Sequence, residues 1–453
     1  MQLSHIRPVG AAKFDDPNLV SCAGLVPTVA LAQQCDLAAL ADEHLSVPTD
    51  KGANAGRKVT SLVAGMVAGA DSIDDMALLR HGAMKTVFDR PYAPSTLGSF
   101  LREFSFGHVR QLDAVGSRFL TGLCERTPLA AGVDGPVLVD IDDTIIEVHG
   151  YGKQGSGYGY SGVRGLNALI ATATTGQSAP VIVGQRLRKG ACGSARGAAR
   201  MVSDTLATVA RLRSSEAPAK SRAPVLLRAD SAFYGHPTVS AAMRGGAQVS
   251  ITVRLAPQVK AAIAAIGDDA WTSIEYAEAL YDHRQMDLAR RGRRNRLPGR
   301  LVVRRIPDLN HHSDGQATLF DTWRFHAFFT TGDLDTVTAD KTHRGHAIIE
   351  QVHADLKDSA LAHLPSNHFS ANAAWLVLAV MAFNLTRAAA TLTGPGLARA
   401  RTATIRRTLI SVPARIASSA RRLTLHLPRD WPWESAWNTL FDKLFHRNQP
   451  IVA

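Results

Sequence analysis

The 453-residue sequence predicts an α/β core that follows an α-helical amino-terminal region. Two short apolar runs, residues 137–141 and 225–228, have the composition of buried strands, and an aspartate lies just beyond each one, as Asp142 and Asp230. A third acidic residue, Glu350, lies in a segment with helical periodicity. Because sites in α/β sheets lie at the carboxyl ends of strands, we expect these carboxylates to meet at one place.

The three carboxylates are the main candidate metal ligands. Without an accompanying set of Cys or His ligands, they favour Mg²⁺ or Mn²⁺ over zinc, since these ions prefer hard oxygen donors. A zinc site of histidines and a glutamate is chemically possible, but the HExxH spacing is absent from the sequence. The four cysteines form no CxxC pair and indicate a reducing cytosol without a disulfide framework: Cys22, Cys35, Cys124 and Cys192.

The order strand Asp, strand Asp, helix Glu resembles that of the DDE transposases, whose catalytic domain has the RNase H-like fold of retroviral integrases. The insertion-sequence-four superfamily carries Tyr, two residues, Arg, three residues, Glu, six residues and Lys on its helix. The same spacing here contains His343, His346, Glu350 and Lys357, so histidines replace Tyr and Arg. The insertion sequence thirteen-eighty family is similar to this chain in residues 140–150, 227–233 and 355–357.

This resemblance implies a cut-and-paste DNA transposase of a bacterial insertion sequence, in which Asp142, Asp230 and Glu350 are catalytic and bind metal. The expected cofactor is a pair of Mg²⁺ ions about 3.5 to 4 Å apart, with Mn²⁺ as a substitute and Asp142 as the bridging ligand. Asp140 is the rival for that role, because residues 140 and 142 of a strand point to the same face while Asp143 points to the other.

The expected partners are the terminal inverted repeats of the element and its target DNA, bound by a homodimer in the synaptic complex. The enzyme would hydrolyse the transposon ends and join them to the target. We expect a bacterial cytoplasmic, nucleoid-associated protein without a membrane segment; the apolar residues 371–385 are interpreted as a core helix because they are too few to span a bilayer. The alternatives are an RNase H-like nuclease without strand transfer and a DNA-binding protein that has lost catalysis.

The helix with Glu350 also has a physical interpretation of its own. Positions 343, 346, 350, 353 and 357 are three or four residues apart, which places them on one helical stripe. An adjoining apolar stripe contains Ile349, Val352 and Leu356. The polar stripe can bind a metal and clamp a phosphate through its cations, or it can be an ordinary solvated face with paired charges.

The domain organisation follows from changes of pattern along the chain. The amino-terminal region is either a helix-turn-helix DNA reader, with Arg102 as a candidate DNA contact, or a helical dimerisation or packing domain. The predicted parts are a helical region (1–129), the first part of an RNase H-like core (130–255), a β-rich insertion (256–335), the second part of the core with the catalytic helix (336–392) and a basic carboxyl-terminal region (393–453).

The predicted insertion carries the strongest signs of DNA contact outside the carboxylates. The chain has a net charge of +12, and an arginine-rich run over residues 284–305, which includes Arg304, is interpreted as a DNA-end clamp, with a charged loop as the alternative. Trp323 is the candidate for stacking on a flipped base, since superfamily members that form a DNA hairpin place an aromatic residue in this domain. The alternatives are a core tryptophan and Trp271 as the stacking residue.

Overall fold

The amino-terminal part of the chain is helical, as its sequence predicts. The computed structural model describes residues 10–213, 223–274, 278–283, 297–307, 323–419 and 422–446. A two-residue strand, β1 (Leu19–Val20), precedes the helices α1 (Leu25–Gln34), α2 (Leu37–His44), α3 (Ala55–Ala68), α4 (Met84–Val87), α5 (Pro94–Arg102) and α6 (Phe106–Arg126).

Helix α5 illustrates how the sequence determines these elements. Pro94 is tolerated in its first turn, where a backbone N–H has no intrahelical partner. Leu97, Phe100 and Leu101 recur at helical spacing and are buried, whereas Arg102 is exposed. The next helix, α6, begins after Ser105, whose hydroxyl accepts a hydrogen bond from the backbone N–H of His108.

A mixed sheet forms the centre of the described chain. Its first strands are β2 (Val137–Glu147), β3 (Gly157–Tyr158), β4 (Arg164–Thr174), β5 (Val181–Lys189), β6 (Val225–Ala229) and β7 (Ala247–Val253). The helices α7 (Ala198–Leu212) and α8 (His236–Arg244) connect the later strands. Strand β4 is antiparallel to both β2 and β5, whereas β6 is parallel to both β2 and β7, so the spatial order is β5, β4, β2, β6, β7.

The strands of the predicted insertion continue this same sheet. After α9 (Pro257–Ala264), the chain forms β8 (Thr272–Ile274), β9 (Glu278–His283), β10 (Arg300–Pro307) and β11 (Trp323–Thr330). Strand β11 pairs antiparallel with β7, and β10, β9 and β8 follow outward in that order. Of the arginine-rich run at 284–305, for which a charged loop was the alternative, residues 284–296 lie outside the described residues.

The carboxyl-terminal part of the chain contains the longest described helix. The helices are α10 (Thr336–Arg344), α11 (Ile348–Lys357), α12 (Phe369–Leu392), α13 (Pro395–Ala398), α14 (Thr402–Ile405) and α15 (Glu434–Phe445). The strands β12 (Ala414–Ser419) and β13 (Arg422–His426) form a hairpin that pairs with β1.

Helix α12 forms the centre of the helical core. It packs against the amino-terminal helices α3, α5 and α6 and against β5, so the amino-terminal helices share one hydrophobic core with the carboxyl-terminal part of the chain. Among the described helices it alone has the length and apolar composition to cross a membrane, yet it is wholly buried inside the protein. Asn384 uses its side-chain amide to bond both backbone groups of Ile182. The predicted core helix at 371–385 is therefore confirmed.

Candidate active site

Two aspartates lie side by side at the point where the parallel pairing of β2 and β6 ends. The last parallel pair between these strands joins Ile141 to Ala229, and the next residues are Asp142 and Asp230. Asp230 follows the end of β6, as predicted. Asp142 does not end its strand, because β2 continues to Glu147 through its pairing with β4; the prediction that the strand ends at residue 141 is wrong. Both aspartates line one cavity of about 1470 Å³.

Burial makes both carboxylates reluctant to ionise. Burial raises the pKa of Asp142 to about 6, although the backbone N–H of Asp143 donates to its Oδ1 at 2.8 Å; the neighbouring Asp230 adds to the rise. Burial also raises the pKa of Asp230, whose Oδ1 accepts from the backbone N–H of Ala232 at 3.0 Å. Within the described part of the chain, neither aspartate forms an ion pair with a lysine or arginine.

Asp140 lies two residues before Asp142 and has a different environment. It is fully buried, and Arg228 donates to both of its oxygens at 2.7 Å. The Nδ1 atom of His346 donates to Oδ1 at 3.1 Å, and Arg228 also donates to the carbonyl of Thr342. This cluster of Asp140, Arg228 and His346 joins β2, β6 and the turn before α11, each a few residues from a candidate catalytic carboxylate.

The predicted continuous stripe from 343 to 357 is wrong at its amino-terminal end. A 3₁₀ turn at Gly345–Ala347 separates α10 from α11. A Cβ on Gly345 would lie 2.8 Å from a guanidinium nitrogen of Arg228, which explains the glycine at this close approach.

His343 therefore lies on α10, beside the sheet rather than beside Glu350. Its ring hydrogen-bonds Ser250 at 2.9 Å and Thr252 at 3.1 Å, and it stacks on Phe328 with ring centres 4.2 Å apart. Burial lowers the pKa of His343 to about 3, so the imidazole is neutral at pH 7. This environment holds a packed, uncharged ring.

Helix α11 packs on β2 and brings His353 beside Asp142. Its predicted apolar stripe, Ile349, Val352 and Leu356, is buried. Glu350 is exposed on the opposite face, between the levels of His346 and His353. The described residues contain no group of three or more His, Cys, Asp or Glu side chains arranged to hold a metal ion, so the apposition of Glu350 with Asp142 and Asp230 remains a prediction.

Residues 4–449 match the family described as transposase DDE domain group 1. The chain belongs to this transposase family. Its members carry nuclease and transposition activity, bind DNA and generally use a divalent metal. Comparison with curated proteins gives no match.

His353, which the sequence marks only as one position of the polar stripe, lies beside Asp142. Its side chain is buried, and Nδ1 lies 3.8 Å from Oδ2 of Asp142. Burial lowers its pKa to about 4. Its Nε2 has no hydrogen-bond partner among the described residues. The available signal was its position three residues after Glu350 on the polar stripe.

The carboxyl-terminal end of α11 is fixed to the helical core. Asp355 is buried and pairs with the buried Arg387 of α12 at 3.3 Å, and it accepts from the backbone N–H of Thr402 at 3.2 Å. Two residues later, Lys357 lines the cavity that contains Asp142, and burial lowers its pKa. The ion pair thus sets the position from which Lys357 reaches the site.

The other predicted DNA contacts lie outside this cavity lining. Arg304 is mostly buried, with its Nε 4.0 Å from the buried Asp340. Arg102 is exposed on α5 and donates to the hydroxyl of Ser99. Trp323 begins β11, and the guanidinium of Arg305 lies 4.6 Å from its ring centre and 4.3 Å from that of Trp271. The predicted rivals Trp271 and Trp323 therefore enclose one arginine.

Proposed function

We propose that this transposase is a cut-and-paste enzyme that binds the terminal inverted repeats of its element, cleaves the ends and joins them to target DNA. One observation carries the proposal: Asp142 in β2 and Asp230 directly after the parallel strand β6 lie side by side, in one cavity with Lys357. Phosphodiester chemistry needs carboxylates to hold a metal and a cation to hold the phosphate, and this cavity contains both.

The aspartates fit a divalent cation. A buried carboxylate without a neutralising partner is unfavourable, and the raised pKa of Asp142 and Asp230 expresses this. Hard oxygen donors match Mg²⁺, with Mn²⁺ as a substitute. We propose that Asp142, Asp230 and Glu350 hold two such ions. When bound, they would activate the attacking oxygen and stabilise the leaving one.

The strand arrangement supports the RNase H-like form of this proposal. The order β5, β4, β2, β6, β7, with antiparallel pairing among the first three strands and parallel pairing among the last three, is the order expected for that fold. The site lies where β2 and β6 separate, beyond their last parallel pair. Helix α11 packs on β2, and we propose that it adds Glu350 to the site from the side.

The proposed DNA contacts divide into two groups. Lys357 lines the cavity and is the proposed phosphate clamp, whereas the packed, neutral ring of His343 is left out of it. His346, which donates to Asp140, is proposed to position the turn before Glu350, with a DNA phosphate contact as the alternative. Arg102, Arg304 and Trp323 are proposed to contact DNA farther from the carboxylates, with Trp323 as the base-stacking residue. The net charge of +12 suits a DNA partner bound in the bacterial cytoplasm by a synaptic homodimer.

The test compares Asp142→Asn, Asp230→Asn and Glu350→Gln with the wild-type protein on DNA that contains the element end. In each variant the rate of Mg²⁺-dependent cleavage should fall by roughly a thousandfold or more, as expected when an essential catalytic group is lost. A gel-shift assay should show end binding within a fewfold of wild type, because binding depends mainly on basic residues. The matched control is Glu147→Gln, because Glu147 lines the same cavity but lies at the far end of β2. This variant should cleave the DNA at the wild-type rate.

The products distinguish the competing functions. Wild-type cleavage with strand joining to a target plasmid supports cut-and-paste transposition, whereas cleavage without joined product assigns the chain to the nuclease alternative. Full cleavage by any one carboxylate variant removes that residue from the site. Absence of cleavage by the wild type with its own element ends would favour a protein that only binds DNA.

A further inference from the structure

Two exposed tyrosines form one wall of the cavity that contains Asp142 and Asp230. Tyr158 lies in β3 and Tyr160 follows it by two residues, and both line this cavity. Tyr158 is 62% exposed and Tyr160 is fully exposed. Two large aromatic rings displayed to solvent beside a catalytic cavity are a feature that core packing does not explain.

The loop that carries these tyrosines is fixed in place. Strand β3 pairs with β4 through Gly157 and Tyr158, and the backbone N–H of Gly190 donates to the carbonyl of Gly155 at 2.9 Å. On the other side, the amine of Lys153 donates to the carbonyls of Leu364 and Ser366. These bonds fix the backbone of the segment that carries the two rings and leave the rings exposed.

Close backbone contacts beneath the loop need glycine. A Cβ on Gly159 would lie 2.8 Å from the carbonyl oxygen of Gly190, and one on Gly165 would lie 2.2 Å from that of Ile146. The first contact brings the loop close to the residue that follows β5, and the second brings β4 close to β2. Glycine thus permits the close backbone packing on which the loop rests.

The charges of the cavity suit a polyanion. Asp143 is neutralised by Arg188, and Asp142 and Asp230 are the proposed metal ligands. The remaining charged side chains of the lining are Arg196, Arg254 and Lys357 on the positive side and Glu147 on the negative side.

The distance from the carboxylates to the tyrosines corresponds to several nucleotides. Tyr158 pairs with Arg164, whose neighbour Gly165 pairs with Glu147, five residues beyond Asp142 along β2. At a rise of about 3.3 Å per residue, this is roughly 17 Å along the strand. The same length spans about five base steps of B-form DNA at about 3.4 Å each, and fewer nucleotides of an extended single strand.

We propose that Tyr158 and Tyr160 form a stacking platform for unpaired bases of a DNA strand that passes through the cavity from the carboxylates. The proposal rests on the proposed function, because that function places a strand at Asp142 and Asp230. Unpaired bases offer their faces to aromatic side chains, whereas the bases of a duplex are stacked on one another. Exposed tyrosines in a cavity that also carries Arg196, Arg254 and Lys357 therefore favour a single strand over a duplex.

The experiment measures DNA binding by the full-length protein in EDTA, with fluorescence anisotropy. The probes are a labelled single-stranded oligothymidylate and a duplex of equal length. The double variant Tyr158→Ala/Tyr160→Ala should bind the single strand at least tenfold more weakly than wild type, which is the lower end of the effect expected from losing base–aromatic stacking. Its affinity for the duplex should stay within twofold of wild type. The variant Tyr158→Phe/Tyr160→Phe keeps both rings and should restore single-strand binding.

The matched control is Tyr151→Ala. Tyr151 is an exposed tyrosine of the same loop, but it lies outside the described cavity lining and its ring is covered by the guanidinium of Arg164 at 4.0 Å. It should bind the single strand as wild type does. Equal losses on single strand and duplex, no loss in the double alanine variant, or an equal loss in Tyr151→Ala would each overturn the proposal. Binding in EDTA requires no cleavage, so failure of the proposed function in the Asp142→Asn assay is a separate result.

Discussion

Asp140 and Asp142 lie two residues apart on β2, and their environments are opposite. Asp140 is fully buried and bonded through both oxygens to Arg228. The side chain of Asp142 is 23% exposed, and no lysine or arginine among the described residues pairs with it. Burial raises the pKa of Asp142 to about 6, so its charge is held in the site without a neutralising partner.

This difference in environment assigns a structural role to one aspartate and a metal-binding role to the other, which strand alternation alone cannot do. Residues 140 and 142 point to the same face of β2, so spacing alone makes either one a candidate ligand. Asp140 has its countercharge within the protein, which suits a carboxylate that holds β2, β6 and the turn before α11 together. Asp142 has none, which suits a carboxylate that receives a cation from solution. Three experiments can break or sharpen this comparison.

The largest effect is expected from Asp140→Asn. The substitution leaves the guanidinium of Arg228 buried beside a neutral amide, and breaking a buried ion pair in this way lowers the free energy of unfolding by about 3–5 kcal/mol. Urea denaturation followed by tryptophan fluorescence measures the change. Asp142→Asn in the same assay should show no such loss.

A second variant separates the ion pair from other effects of the substitution. Asp140→Asn combined with Arg228→Met removes the buried charge that the single variant leaves, and it should recover most of the lost free energy of unfolding. If Asp140→Asn lowers this free energy by less than about 1 kcal/mol, the pair does not hold the three elements together.

The second prediction concerns the pH dependence of stability at Asp142. Between about pH 4 and pH 6 the unfolded carboxyl loses its proton while the folded one retains it, so the free energy of unfolding falls as pH rises through this window. Two pKa units correspond to about 3 kcal/mol. Asp142→Asn should therefore be more stable than wild type at pH 8 in EDTA, by up to this amount, and equal to it below about pH 4.

Magnesium provides the control for this prediction. A cation that binds the folded site stabilises it, so Mg²⁺ should raise the thermal midpoint of wild type at pH 8 and leave that of Asp142→Asn nearly unchanged. Equal responses of the two proteins to Mg²⁺ would show that Asp142 is not a ligand. A wild type as stable as Asp142→Asn at pH 8 in EDTA would show that its charge is neutralised by the protein.

The sequence predicts local patterns of this site well. The position of Asp230 after β6 and the buried stripe of Ile349, Val352 and Leu356 follow from apolar periodicity, which depends only on neighbouring residues. The end of β2 was mispredicted because its outer half is stabilised by pairing with β4, and the sequence of β2 alone does not reveal that pairing. Periodicity locates a strand face, whereas strand length depends on its neighbour.

The features of the site that the sequence does not predict depend on contacts between residues that are distant in sequence. Arg228 meets Asp140 across 88 positions, and nothing in either segment specifies that pair. Arg228 closely approaches the 3₁₀ turn at Gly345–Ala347, and this turn separates His343 from the polar stripe, so that its ring bonds to Ser250 and Thr252 of β7. His353 acquires its place beside Asp142 only when α11 packs on β2. These contacts decide which polar residues are buried and which remain open to DNA.

The smallest expected effect tests whether His346 acts through Asp140 or through DNA. The side-chain amide of asparagine reproduces the Nδ1 position of histidine, while that of glutamine reproduces Nε2. His346→Asn can therefore retain the donation to Asp140, and His346→Gln loses it.

If the ring positions the turn before Glu350, the single-turnover cleavage rate should fall about tenfold in His346→Gln, the size of one lost hydrogen bond, and less than about threefold in His346→Asn. End binding by gel shift should be unchanged in both, because a positioning residue does not touch DNA. The opposite order, or a loss of end binding in both variants, would show that the imidazole contacts a phosphate directly and that the cluster around Asp140 does not govern cleavage.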